Sequence, residues 1–385
     1  MPRIFRTFQK TLVLLVVLGM FFETAPAVAN AKSSQLIKTA NQFSAKGKLR
    51  DAIDSLSAAV RADPRDYAAQ AQLADAYFRF GEYDFAIKEA TAAIVLDSRR
   101  AEGYKTRAKA YTKKKNPNEA VKDSTRAIQL DPKDPQNYLN RAVAYYFLNE
   151  FAGGDGEPLR RCVQDLNMAL KLDPKYAQAE YYRGICYVTE KDYGNALKCF
   201  TKAIALDPKD PAPLRYRSMT YSVLKQYKKA TDDLDRMIAI SPNNYEGRLS
   251  RAANYEILGD YQKAYDDYTH VLKTHPKKFR VRYARAAAAL KMNKFREAIA
   301  DYDAILNANS LDDEAWKLRG DAYVKLREYS KALADYNEAI ELSSDSPTYY
   351  EARSRVHVWL KNAGAAKRDR DKAKELRQQP AELKL

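Results

Sequence analysis

The sequence predicts an all-α fold, an α-solenoid of stacked helical hairpins, and three observations carry that expectation. Only 13 of the 385 residues are Gly, and the chain is rich in Ala, Leu, Lys, Arg, Glu and Gln, residues that favour helices. No stretch between residues 32 and 385 alternates apolar and polar side chains with the two-residue period of a strand. Prolines also keep a ruler: Pro64 and Pro132 stand two steps of 34 apart, and Pro174, Pro208, Pro242 and Pro276 follow at 34 each. A fixed period of that length marks a repeat architecture. Ser98, Ser310 and Ser344 extend the ruler where proline is absent, since a small polar residue also stops a helix.

Taken in order, the first element is a signal peptide over residues 1–31. Arg3, Arg6 and Lys10 precede the apolar run Thr11 to Phe22, and cleavage is expected near Ala29 or Ala31. The run is shorter than the roughly 20 residues that a spanning helix needs, so export to the periplasm or medium is favoured over an uncleaved membrane anchor. The first cysteine is Cys162, so no lipoprotein cysteine follows the leader, and no later stretch is apolar enough to span a bilayer. The solenoid follows over 33–378, with first helices starting near Ser33, Tyr67, Ala101, Pro135, Ala177, Pro211, Tyr245, Phe279 and Asp313. One step of the ruler, Pro132 to Pro174, is 8 residues too long, and Gly153-Gly154-Asp155-Gly156-Glu157-Pro158 places an insertion loop at about 149–160 in the fourth repeat. A charged helix from about Ala363 to Gln378 reads as the solvent-facing half of a capping hairpin, and 379–385 form a short tail.

Within each repeat the first helix shows an aromatic, then Arg-Ala or Arg-Gly, then Tyr, as in Tyr104, Arg107, Ala108 and Tyr111, or Trp316, Arg319, Gly320 and Tyr323. The second shows Ala, an aromatic and Ala, as in Ala196, Phe200 and Ala203, or Ala332, Tyr336 and Ala339, and closes on Leu-Asp-Pro or a variant. Small residues let the two backbones approach while aromatics fill the space between hairpins. At these positions, from about Ser33 to the C-terminus, the chain resembles the tetratricopeptide repeat family. The repeat starts give about nine hairpins plus a cap; the resemblance implies that they wind into a right-handed superhelix, with the first helices lining a concave groove that binds other proteins.

Charged residues interrupt the apolar stripe at matching places. Arg107, Arg141, Arg183, Arg217, Arg251, Arg285, Arg319 and Arg353 recur on first helices, and Glu89, Asp123, Asp165, Asp233, Asp267, Asp301, Asp335 and Asp369 on second helices. A partly buried Arg without a partner is expensive, so these are expected to form a structural ladder rather than an anion-binding stripe. Glu89 has Leu73 in its own repeat but Arg107 in the next, which favours pairing between neighbouring repeats. Cys199 breaks the ladder once.

For the groove, Leu139, Val143, Tyr146, Phe147, Tyr181, Ile185, Val188, Met219 and Val223 form the expected apolar partner-binding face, preceded by Lys105, Lys109 and Lys113. Packing of the segment Phe151 to Pro158 into that groove is the competing expectation. The Lys and Asn set with which one co-chaperone branch of the family grips acidic C-termini is missing: Asn41 matches, but Ile37, Gln72, Glu102 and Thr106 stand at the other places. Net charge is +16, or +14 without the leader, concentrated at Lys113-Lys114-Lys115, at Lys277, Lys278, Arg280 and Arg282, and at Lys367, Arg368, Arg370, Lys372 and Lys374. An anionic envelope surface is therefore a second partner class. Nucleic acid is disfavoured because no recognised nucleic-acid motif accompanies the charge.

His270, His275 and His357 lack metal-pair spacing, and no phosphate loop or nucleophile elbow is present. No catalytic residue, cofactor or metal is expected. Three cysteines in an oxidising compartment allow one bridge and a free thiol; Cys162 in a core-Ala slot and Cys186 in the slot of Ala110, Ala144 and Ala322 favour buried small hydrophobes instead. The chain reads as a non-catalytic scaffold or adaptor of the cell envelope. A basic surface-binding protein and a regulatory subunit of an envelope enzyme are the alternatives.

Overall fold

A computed structural model describes residues 30–152 and 156–378, and among them every regular element is a helix. Helix α1 covers 30–45 and packs with α2 (Leu49–Ala62). The pairs α3 (Tyr67–Phe80) with α4 (Tyr83–Leu96), α5 (Ala101–Lys113) with α6 (Pro117–Leu130), α7 (Pro135–Ala152) with α8 (Glu157–Leu172), and α9 (Ala177–Thr189) with α10 (Tyr193–Leu206) follow. Then come α11 (Pro211–Val223) and α12 (Tyr227–Ile240), α13 (Tyr245–Ile257) and α14 (Tyr261–Thr274), α15 (Phe279–Lys291) and α16 (Phe295–Ala308), and α17 (Asp313–Lys325) with α18 (Tyr329–Leu342). The last pair is α19 (Pro347–Trp359) and α20 (Ala363–Gln378). The described residues up to Pro208 form one compact unit and those from Lys209 onward a second. Each therefore holds five stacked hairpins. The leader, its cleavage site near Ala29 and the tail 379–385 lie outside the described residues; Ala31 is already inside α1.

Two local devices set the period. Where a second helix ends on Asp-Pro, the Asp closes the last turn in extended backbone, as at Asp63 and Asp173, the conformation that a following proline demands. Its side chain then accepts from the backbone N–H two residues on: Arg65 N to Asp63 at 3.0 Å and Lys175 N to Asp173 at 2.9 Å. A second acidic or amide residue caps four of the following helices. Asp66 accepts from the N–H groups of Ala68 and Ala69, Asp210 from Ala212, Asn244 from Gly247 and Asp312 from Ala315, each such cap being worth about 1 kcal/mol. Inside each hairpin the turn places one residue in the left-handed region: Gly47, Gly81, Lys115, Lys191, Lys225, Gly259, Asn293, Arg327 and Lys361.

The fourth repeat departs from this. Asn149 stands where that left-handed residue belongs, yet α7 runs through it to Ala152 before α8 begins at Glu157. The expected loop over 149–160 is thus mostly helix. Helical hydrogen bonding absorbs the extra residues more cheaply than a solvated loop of that length.

The core follows the small–aromatic pattern. Ala196, Phe200, Ala203, Ala332, Tyr336 and Ala339 are all buried, and Gly184 and Gly320 admit the rings of Phe200 and Tyr336 at distances that leave no room for a methyl group.

Candidate functional site

The arginine ladder is present, but within each hairpin. Arg107 donates from Nε and Nη2 to the two carboxylate oxygens of Asp123 at 2.7 and 2.9 Å, and Arg141 grips Asp165 across the insertion at 2.8 Å twice. Arg217 with Asp233, Arg251 with Asp267, Arg285 with Asp301, Arg319 with Asp335 and Arg353 with Asp369 repeat the same fork. The pairing between neighbouring repeats that the sequence favoured is therefore corrected. A weaker link to the preceding hairpin comes from the remaining nitrogen: Nη1 of Arg107 donates to Thr91, of Arg251 to Asp235 and of Arg319 to Asp303. Each guanidinium thus ties three helices together, with the charge-assisted fork dominating.

Two expected members leave the ladder. Glu89 accepts from Gln70 and sits beside Lys88 instead of meeting Arg107. Arg183 faces Cys199 where an aspartate would be, and draws its counter-charge from the fully buried Glu180 at 2.7 Å, which Lys202 also approaches at 2.6 Å. Arg248 and Arg282 join Asp267 and Asp301 as second cations at 3.5 and 3.3 Å.

In the first unit a cavity of about 330 Å³ opens among the first helices of the second to fifth hairpins. Leu139, Val143 and Phe147 of α7 and Phe78 of α3 give it an apolar floor, and Lys109, Lys113 and Lys115 stand along one side. Lys109 is held by Asp75 at 3.1 Å and lies over the Phe78 ring. Lys105 turns away to Asp134 at 2.6 Å. Asn140 also lines the cavity; it is 8% exposed. Its Oδ1 accepts from Gln136 at 2.9 Å while its Nδ2 has no partner. A buried amide donor left unmet is costly. Phe151, on the helical extension, stacks on Phe147 with centroids 6.2 Å apart and is half exposed at the margin.

Of the nine residues expected on the groove, three line this cavity: Leu139, Val143 and Phe147. Leu139 does so from within the core, at 3% exposure. Tyr146 packs against that same core and meets Phe147 edge-on at 5.5 Å. On α9 the wall is made by Gln178 and Tyr182. Tyr181 leans to Phe200 of its own hairpin, Ile185 is buried at 5% exposure rather than lying on the groove surface, and Val188 lines no part of the cavity. Met219 and Val223 belong to the second unit, where Met219 lines a separate cavity with Arg215, Leu234 and Met237, and Val223 is 59% exposed. Phe78, Asn140, Gln136 and Thr112 were missed by the sequence reading. Among the described residues no helix is long and apolar enough to cross a membrane.

Comparison with known proteins gives a family. Three tetratricopeptide-repeat profiles match, one at residues 37–103 and 283–347, one at 177–210 and one at 101–134, together just over half of the chain. No curated protein matches the chain by sequence. Among solved structures, TTC0263, a thermophilic TPR protein in Thermus thermophilus, is 19% identical with a TM-score of 0.45 over 49% of this chain and 98% of that one. The pilF protein of Pseudomonas aeruginosa is 17% identical, with a TM-score of 0.48 over 58% of this chain and 100% of that one. PilW, a type IV pilus biogenesis factor, is 19% identical with a TM-score of 0.49 over 55% and 94%. The assignment rests on the repeat profiles and on the hairpins they describe: this chain belongs to the tetratricopeptide-repeat family.

Proposed function

We propose that the chain is a non-catalytic scaffold that holds an extended peptide or partner helix of another protein against the cavity of its first unit. The observation that carries this is the unmet Nδ2 of Asn140 beside an apolar floor and a row of lysines. Such a surface suits a segment that offers apolar side chains, a backbone carbonyl and some negative charge. The leader-like N-terminus supports action in the cell envelope or outside it.

The test is fluorescence anisotropy of the full chain against arrayed peptides with apolar residues flanked by acidic ones. Phe147→Ala combined with Asn140→Ala is expected to weaken the best binder at least tenfold, with modest salt dependence. Unchanged binding in that variant rejects the cavity. Affinity that collapses with salt, and on neutralising Lys277, Lys278 and Arg280, favours the anionic-surface reading instead.

A further inference from the structure

Cys162 of α8 and Cys186 of α9 lie with their sulfur atoms 2.8 Å apart, 0% and 1% exposed. That separation is within about 0.8 Å of an S–S bond, normally ~2.05 Å. In the neighbouring repeats the equivalent residues are Ala86 with Ala110 and Ala120 with Ala144, all fully buried. This is the position where the second helix of one hairpin meets the first helix of the next. Sulfur thus replaces both methyl groups at one junction. The third cysteine, Cys199, is 5% exposed on α10 beside Arg183.

We propose that Cys162 and Cys186 are an oxidation site, forming a disulfide that staples the fourth hairpin to the fifth and leaves Cys199 as the remaining thiol. The bond does not depend on what the cavity binds. It would nonetheless govern the cavity's shape, because Leu139, Val143 and Tyr182 of its walls pack on the same core cluster as the two cysteines. The oxidant is a disulfide-bearing molecule, small or protein. The Cys186 thiolate attacks one of its sulfurs and expels the other as thiolate. The Cys162 thiolate then attacks Sγ of Cys186 in the mixed disulfide, forming the Cys162–Cys186 bond and releasing the second thiolate. The chain loses two electrons and two protons, and the oxidant leaves as two thiols.

Once the hairpins are packed, the adjacent Cys186 and burial hold the Cys162 thiol well above its ordinary pKa. Thiolate attack then belongs to folding, before the fifth hairpin docks.

The experiment refolds the reduced full chain in a glutathione redox buffer, alkylates it under denaturing conditions and maps the peptides by mass spectrometry. The expected result is one alkylated cysteine, Cys199, and a linked pair of Cys162 and Cys186 peptides. Reductant should lower the thermal midpoint of the oxidised wild type by several degrees. It should not move Cys162→Ala/Cys186→Ala, a variant that restores the alanine pair of the two preceding junctions. Three alkylated cysteines after refolding, a bridge that includes Cys199, or a reductant effect persisting in the double variant overturns the proposal. Peptide affinity of the double variant is measured separately, so loss of the bridge and loss of the binding reading are told apart.

Discussion

Removing Asp335 shows what the ladder is worth. Arg319 donates to its two oxygens at 2.9 and 2.7 Å and to Asp303 at 2.6 Å. Asp335 has a 5% exposed side chain and Asp303 a 44% exposed one. Burial works to lower the Arg319 pKa, and the two carboxylates more than reverse it. Burial raises the Asp335 carboxyl above its ordinary value despite Arg319. The attraction therefore outweighs desolvation at the guanidinium and falls short of it at the carboxyl. At an effective dielectric of ~20, charges about 4 Å apart attract by about 4 kcal/mol, and stripping one partner from a buried pair costs about 3–5 kcal/mol. Because Asp303 remains, Asp335→Ala is expected near the lower end, about 3 kcal/mol. Asp303→Ala, at the exposed contact, should cost under about 1 kcal/mol. Arg319→Met with Asp335→Leu should lie within about 1 kcal/mol of wild type, since neither charge is then orphaned. Urea unfolding followed by circular dichroism measures all three, and hydrogen exchange on α17 and α18 locates the loss. If Asp335→Ala costs no more than Asp303→Ala, the ladder is ornamental and this reasoning fails.

Three further outcomes follow from the geometry. Lys225 has φ +57° in the hairpin turn where Gly81 and Gly259 stand elsewhere, so Lys225→Gly should stabilise by about 0.5–1 kcal/mol, read as a higher urea midpoint; a lower one contradicts the strain. A methyl group on Gly184 would come within 2.5 Å of the Phe200 ring, so Gly184→Ala should cost about 1–3 kcal/mol, whereas Gly247→Ala displaces only the mobile end of Met237 and should cost less; equal midpoints sink the comparison. Burial pushes the Tyr67 phenol up to about 12 and raises Tyr176, Tyr268, Tyr302 and Tyr336 as well. The folded state then holds protons that the unfolded state releases, so this contribution is complete below about pH 10 and is lost as pH rises through the folded values. Tyrosinate absorbance should lag a normal titration and then rise together with loss of helicity; normal titration with helicity intact refutes it.

Much of the fold is legible because punctuation is local. The Asp-Pro stops and the Asp or Asn caps fix where a helix ends and the next begins, so the first helices start at Tyr67, Ala101, Pro135, Ala177, Pro211, Tyr245, Phe279 and Asp313. The loop expected at about 149–160 gave way to helix at both ends because a helix can run through a turn residue such as Asn149 when extra chain follows it. The ladder's partners were legible and their register was not. An arginine is long enough to reach its own second helix and the preceding one, and the periodic sequence places polar residues on both. The exception at Glu89, which answers Gln70, was the wrong guide. The cavity depended on rotation of each first helix. One residue turns a helix by about 100°, which separates Tyr182, on the wall, from Tyr181, against Phe200.

The central claim is that the first unit's cavity is where another protein is held. A photo-crosslinking side chain placed at residue 143, inside the cavity, and in a second variant at residue 223, exposed in the second unit, tests it in the cells that make the protein. The account predicts one discrete protein partner captured from 143, lost when Asn140→Ala and Phe147→Ala are added, and absent from 223. The same capture from both positions, or none from 143, contradicts it.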